Sequence, residues 1–182
     1  MDAWVWVVIV AVVVIALIAY FMAQRRRSES LKERFGPEYE RTVSSAGKRR
    51  AGESELAERE ERREALDIRP LSSEARERYL VSWRETQERF VDTPSEAVGQ
   101  ADRLVQQVMQ ERGYPVENFE QRSSDISVDH PEVVQDYRAA HGISLANDHG
   151  EASTEDLRQA MVHYRSLFEE LVERGDSAGA AR

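Results

Sequence analysis

Residues 3–22, AWVWVVIVAVVVIALIAYFM, form an unbroken apolar run with no charge and no side-chain amide. Nothing else in the chain restricts its folding so tightly. At ~1.5 Å per residue a helix of ~20 residues covers the ~30 Å hydrocarbon core of a bilayer. So dense a β-branched run makes a mediocre helix in water. In lipid the backbone must satisfy its own hydrogen bonds, and the helix wins. Trp4, Trp6 and Tyr20 lie at the two ends of the run, where amphipathic rings favour the membrane interface. A cleaved signal peptide would need a basic stretch before the run and a small-x-small cleavage site after it. Here only Met1 and Asp2 precede it, and it ends Tyr20-Phe21-Met22-Ala23. The expectation is an uncleaved, single-pass signal anchor.

The charge distribution gives the orientation. Arg25, Arg26 and Arg27 follow the run directly, and residues 25–50 carry nine Lys or Arg against four Glu. Positive residues beside a span stay in the cytoplasm, so the N-terminus is placed outside and residues 25–182 inside; an extracytoplasmic body is the alternative. The collar residues Arg25, Arg26, Arg27, Lys32 and Arg34 are candidates for fixing topology and touching lipid headgroups. With a net charge of −9, one acid before residue 25 and +5 over residues 25–50, the rest of the chain carries −9 + 1 − 5 = −13. A body so acidic is a poor partner for nucleic acid, whose phosphates demand a positive surface. The absence of Cys excludes disulfides and thiolate metal sites.

The remaining segments read as helices. In the basic juxtamembrane segment, residues 25–50, Leu31, Phe35, Tyr39 and Val43 recur every four residues, Gly36-Pro37 breaks the helix between them, and Ser44–Gly47 reads as a flexible break. Residues 53–68 form a charged helical stalk. Glu55–Arg59 and Glu58–Arg62 are favourable i,i+4 pairs there, and with only Leu56 and Leu66 as sizeable apolar residues the segment is expected to be solvated. Residues 70–175 follow as an antiparallel helical bundle. Ser72 caps a helix carrying Tyr79, Trp83 and Phe90. Thr93-Pro94-Ser95-Glu96 reads as a capping box with Pro at the first helical position, and Gly113 stops that helix. A short helix over residues 116–124 carries Phe119. Asp129 or His130 caps the next, and Ser153 opens the last, whose residues Leu157, Met161, Tyr164, Phe168 and Leu171 make a heptad stripe. Residues 176–182 read as a disordered tail. No segment alternates with period two. The fold class is therefore all-α: one transmembrane helix, a charged stalk and a C-terminal bundle.

Chemical motifs are scarce. His130, His141, His149 and His163 all lie in the C-terminal third near Asp129, Asp136 and Asp148, but without HExxH or a repeated ExxH pair they read as caps and surface positions rather than ligands. No phosphate-binding glycine loop or nucleophile elbow is present. No enzyme, metal or cofactor is expected.

The strings RRSESLKERFGPEYERTV, RFVDTPSEAVGQADRLVQQVMQERGYPVENFEQR, DISVDHPEVVQDYRAAH and GEASTEDLRQAMVHYRSLFEELV together resemble an uncharacterised actinobacterial family with one N-terminal membrane segment, variously described as hypothetical, membrane or secreted proteins. The likeness runs over nearly all of the chain after the apolar run and agrees with its Arg-rich, Lys-poor usage. It implies no catalytic or ligand residue. The functional expectation is a tethered interaction module that binds a cytoplasmic protein or itself, which an exposed apolar groove beside Trp83 or Phe119 would support. A ligand- or metal-binding bundle and a lipid-surface protein are the alternatives.

Overall fold

The computed structural model describes residues 3–173, apart from the side chains of residues 3, 5 and 7–10. Its elements, all helical, are α1 (Ala3–Phe35), α2 (Pro37–Ala46), α3 (Arg49–Glu64), α4 (Ser73–Arg89), α5 (Pro94–Arg112), α6 (Phe119–Asp129), α7 (Val134–Asp148) and α8 (Thr154–Glu173). No strand occurs among the described residues, and the fold is all-α. The expected tail over 176–182 lies outside them. Among the described residues, no helix is long and apolar enough to cross a membrane. The undescribed side chains of residues 3, 5 and 7–10 fall inside the run expected to span. The chain divides into two compact units, residues 1–57 and 58–182.

In the first unit α1 continues well past the apolar run. It ends at Phe35 because Gly36 takes a positive φ of 44° and Pro37 opens α2 at its first position. Leu31, Phe35 and Tyr39 of the four-residue stripe are buried, with Val43 half-buried. Ser44, Ser45 and Ala46 are not a flexible break but the last turn of α2, which Gly47 closes in the left-handed region. α3 approaches α2 closely at one point: a Cβ on Gly52 would come within 2.7 Å of the Val43 Cα. Leu56 is fully buried, so the charged segment is not solvated on every side.

The second unit is a helical bundle with α8 at its centre, packed against α4, α5 and α7. All five residues of the α8 stripe are buried, together with Ala160, Leu167 and Val172. Trp83 of α4 stacks on Phe168 at 4.7 Å between ring centroids. Tyr137 and Tyr164 meet edge to face. At ~1.5–3 kcal/mol for each fully buried large apolar side chain, the stripe contributes roughly 8–15 kcal/mol against the chain entropy lost in ordering the bundle.

Helix ends follow local chemistry, with two departures from expectation. Ser72 caps α4, accepting from the Ala75 N–H at 3.1 Å, and Asn118 caps α6, accepting from Gln121 at 2.7 Å. Thr93 precedes Pro94 as expected, but no capping box forms. Its hydroxyl turns back to the Arg89 carbonyl at 3.5 Å, because its ψ of 71° aims the side chain away from the α5 amides. The reciprocal box sits at α8 instead: Asp156 N–H donates to Ser153 Oγ at 3.2 Å, and Ser153 N–H donates to the Asp156 carboxylate at 2.9 Å. Asp129 is the other departure. It ends α6, which runs past residue 124, rather than capping α7, because Arg63 and Tyr114 hold its carboxylate. α7 runs through Gly142 to Asp148.

Gly113 closes α5 in a Schellman motif: its own N–H reaches the Gln110 carbonyl and the Tyr114 N–H reaches Met109, both at 3.0 Å. Its φ is 100°, and a Cβ there would come within 2.4 Å of the Asp67 carbonyl oxygen. Gly113→Ala is therefore expected to cost about 3 kcal/mol, combining backbone strain with a clash against main chain. Gly142 lies within α7 with open space where its Cβ would go. Gly142→Ala should leave the bundle as stable, or raise stability by up to ~1 kcal/mol. Urea unfolding of the full chain in detergent, followed by hydrogen exchange of α5 and α8, separates the two outcomes.

Candidate functional site

Two places gather polar chemistry, one in each unit. In the first, the collar side chains of Arg25, Arg26, Arg27, Lys32 and Arg34 are all exposed along α1. Trp4, Trp6 and Tyr20 are exposed as well, at 66%, 58% and 56%. Lys32 is drawn toward α2, pairing with Glu40 at 3.8 Å and lying over the Tyr39 ring. Glu53 ties the unit together. Its Oε1 accepts from Ser28 Oγ of α1 at 2.6 Å, Tyr39 OH of α2 at 2.8 Å and Arg49 Nε of its own helix at 2.7 Å. Burial works to raise the Glu53 carboxyl, but the hydrogen bonds from Ser28, Arg49 and Tyr39 outweigh it and hold the group below the usual carboxylate range. These bonds bring the first turn of α3 beside α1 and leave a hollow of about 250 Å³ lined by Tyr20, Gln24, Arg27, Arg50, Glu53 and Ser54. Arg26 lines a separate hollow with Ala19, Met22 and Ala23. Tyr20, expected at a membrane interface, and Arg27, expected at lipid headgroups, both line this hollow. Gln24 was within reach, because it falls at i+4 between them on one helix face. Arg50 and Ser54 carried no signal, since their approach depends on α3 folding back.

In the second unit the C-terminal half of α3 faces α6 through arginines. Arg59 Nη1 donates to Ser127 Oγ at 3.2 Å, Arg62 Nε lies 3.7 Å from the Asp125 carboxylate, and Arg63 Nε pairs with Asp129. Arg62 thus pairs across helices rather than with Glu58 in its own. Arg122 is buried in α6 and engaged on two nitrogens: Nε donates to Tyr137 OH at 2.6 Å, and Nη1 to the Val116 carbonyl at 2.9 Å and Gln106 Oε1 at 3.3 Å. Arg112, also buried, donates from Nη1 to the Leu171 carbonyl of α8 at 2.9 Å and from Nε to the Arg69 carbonyl at 3.4 Å. Such pairing is what a buried guanidinium requires, and it uses these groups structurally.

The histidines do not converge. His163 Nδ1 lies 2.9 Å from Asp136, His141 stacks on Phe119 at 3.7 Å between centroids, His149 ends α7, and His130 Nδ1 lies 3.0 Å from Glu170. Among the described residues no group of three or more His, Asp or Glu could hold a metal ion. Trp83 is buried and Phe119 is covered by His141, so neither opens a groove. The apolar hollow of the bundle lies elsewhere, lined by Phe90, Met161 and Val162 with Gln87, Arg158 and Arg165 at its rim. No family model, curated protein or solved structure matches this chain.

His130 carries a pH dependence. Burial pushes its imidazole below the usual 6.5, with Arg112 acting the same way and Glu170 and Asp129 opposing. The ring is neutral near pH 7, and Nδ1 holds the proton because the Glu170 carboxylate can only accept. Nε2 is buried with no partner. A depressed histidine binds its proton more readily when unfolded. The bundle therefore holds its full stability above the unfolded-state value and loses it as pH falls through the folded-state one. His141, also lowered by burial, adds in the same direction. His130→Gln keeps a donor to Glu170 and removes the titration. Its urea midpoint should fall less than the wild type's between pH about 7 and about 5.

Proposed function

We propose that this chain is a single-pass membrane-anchored protein whose C-terminal bundle lies on the cytoplasmic side and acts as a protein-interaction module. The observation that carries the reading is the exposure of the apolar part of α1. From Val12 to Met22 its large side chains stand open, with Ile15 at 65% and Phe21 at 61%. Leaving so many in water forgoes ~1.5–3 kcal/mol for each that could be buried, and a helix apolar on all sides finds that burial in lipid. The exposed collar at Arg25, Arg26 and Arg27 supports retention of the body on the cytoplasmic side.

A binding role is favoured over a catalytic one by how the bundle uses its polar groups. Arg112, Arg122, Tyr137, Tyr164 and Asp102 are consumed by contacts between helices. The hollow at Phe90, Met161 and Val162, with Val91 beside it 83% exposed, supports a protein contact on this face. Tethering raises the local concentration of that surface, so modest contacts suffice.

Full-length protein is expected to stay in the membrane pellet after carbonate washing. Val13→Arg with Leu17→Arg should release most of it, each arginine at a helix centre costing ~2.5–3.5 kcal/mol of insertion. Because the chain has no Cys, Glu88→Cys offers a single thiol. A membrane-impermeant maleimide should label it only after lysis, and labelling of intact cells would reverse the orientation. Crosslinking in native membranes should yield a protein adduct that the surface change Val162→Glu diminishes.

A further inference from the structure

The hollow between α1 and α3 has an arrangement that anchoring alone does not require. Tyr20, Gln24 and Arg27 fall at i, i+4 and i+7 on α1, so one face passes from aromatic ring to amide to guanidinium over ~10 Å of helix, starting where the apolar run ends. Arg50 and Ser54 face them from α3, one turn apart. The carboxylate on the lining, Glu53, is already engaged by Ser28, Tyr39 and Arg49. Arg27 and Arg50 have no ion pair or hydrogen bond among the described residues, although Arg59, Arg63, Arg112 and Arg122 of the second unit are all engaged.

We propose that Arg27 and Arg50 clasp the phosphate of an anionic phospholipid headgroup in this hollow, with Ser54 and Gln24 donating hydrogen bonds and Tyr20 lying at the headgroup–acyl boundary. The inference rests on the membrane reading. A guanidinium presents paired N–H donors that match phosphate oxygens, and two of them on separate helices fix the group from two sides. The hollow, about 250 Å³, is wide enough to admit a phosphate group. A free phosphate offers the same oxygens. The lipid is the occupant we commit to, because the hollow opens beside the exposed apolar residues of α1, along which acyl chains would lie. Occupancy would brace α3 against α1 beside the bonds that Glu53 makes.

The test uses the full chain in detergent micelles carrying equimolar phosphatidylcholine and phosphatidylglycerol, with retained lipid read by native mass spectrometry. Wild type should retain phosphatidylglycerol preferentially. Arg27→Gln and Arg50→Gln should each lower that retention about fivefold, and the double variant more, following the contribution of one basic group near an anionic surface. Lys48→Gln, which removes the same charge from an exposed position outside the hollow, should change it little. Circular dichroism checks that all variants keep their helicity, as expected for two exposed and unpaired side chains. Equal retention of the two lipids, or an equal loss in Lys48→Gln, would overturn the proposal. So would inorganic phosphate that, at millimolar concentration and without lipid, shields Arg27 and Arg50 from an arginine-selective dicarbonyl as well as phosphatidylglycerol does. Carbonate extraction of the same preparation keeps the two readings apart. A chain that stays in the pellet but shows no lipid preference rejects the headgroup site alone, whereas release by carbonate rejects the anchor.

Discussion

Burial of the apolar face of α8 is the constraint on which the bundle rests. The stripe from Leu157 to Leu171 has no other way to leave water than to be surrounded, and α4, α5 and α7 surround it. The remaining helices of that unit are placed by what this central packing leaves to be satisfied. The segment after α3 runs across the end of α5, where the Arg69 N–H takes the Arg112 carbonyl and Gly113 lets the main chain come close. The glycine is a consequence of that packing, because only a residue without Cβ fits under the Asp67 carbonyl.

Polar groups inside the bundle do a different job. Apolar burial is non-directional and would tolerate neighbouring helices in several registers. A buried guanidinium does not, because each unsatisfied donor costs what its hydration was worth. Arg112 fixes α5 against the end of α8 through the Leu171 carbonyl, and Arg122 fixes α6 against α5 and α7 through Gln106 and Tyr137. The arginines of α3 do the same toward α6, and Asp129 accepts from both Arg63 and Tyr114. The Arg-rich composition thus has a structural use: a planar fork can satisfy several acceptors on different helices at once, which an ammonium does less readily.

In the first unit a single carboxylate works beside the buried Leu31, Phe35 and Leu56. Glu53 joins three helices through Ser28, Tyr39 and Arg49, and Gly52 beside it lets α3 close on α2. Here the positive groups are sorted by partner. Lys32 and Arg49 are held by Glu40 and Glu53, whereas Arg27 and Arg50 have no ion pair among the described residues.

Local chemistry made much of this legible. Spacing of 3.6 residues identified the helices and their buried faces, including the α8 stripe and the Leu31–Phe35–Tyr39 series. Ser72, Pro94, Gly113 and Ser153 marked helix ends, because caps and breakers act over one turn. The misreadings share one cause. Thr93 had the right neighbours for a capping box but the wrong ψ. Asp129 looked like a cap and was claimed by Arg63 and Tyr114 from distant parts of the chain. Arg59 to Arg63 looked solvated because their acceptors lie more than sixty residues away. By itself the sequence determined the helices, the apolar run and the basic collar, since periodicity, length and charge are properties of neighbouring residues. Only the tertiary structure decided which arginines are consumed and which are left open, because a side chain's partner is set by what folding brings within hydrogen-bond reach, and that information is non-local.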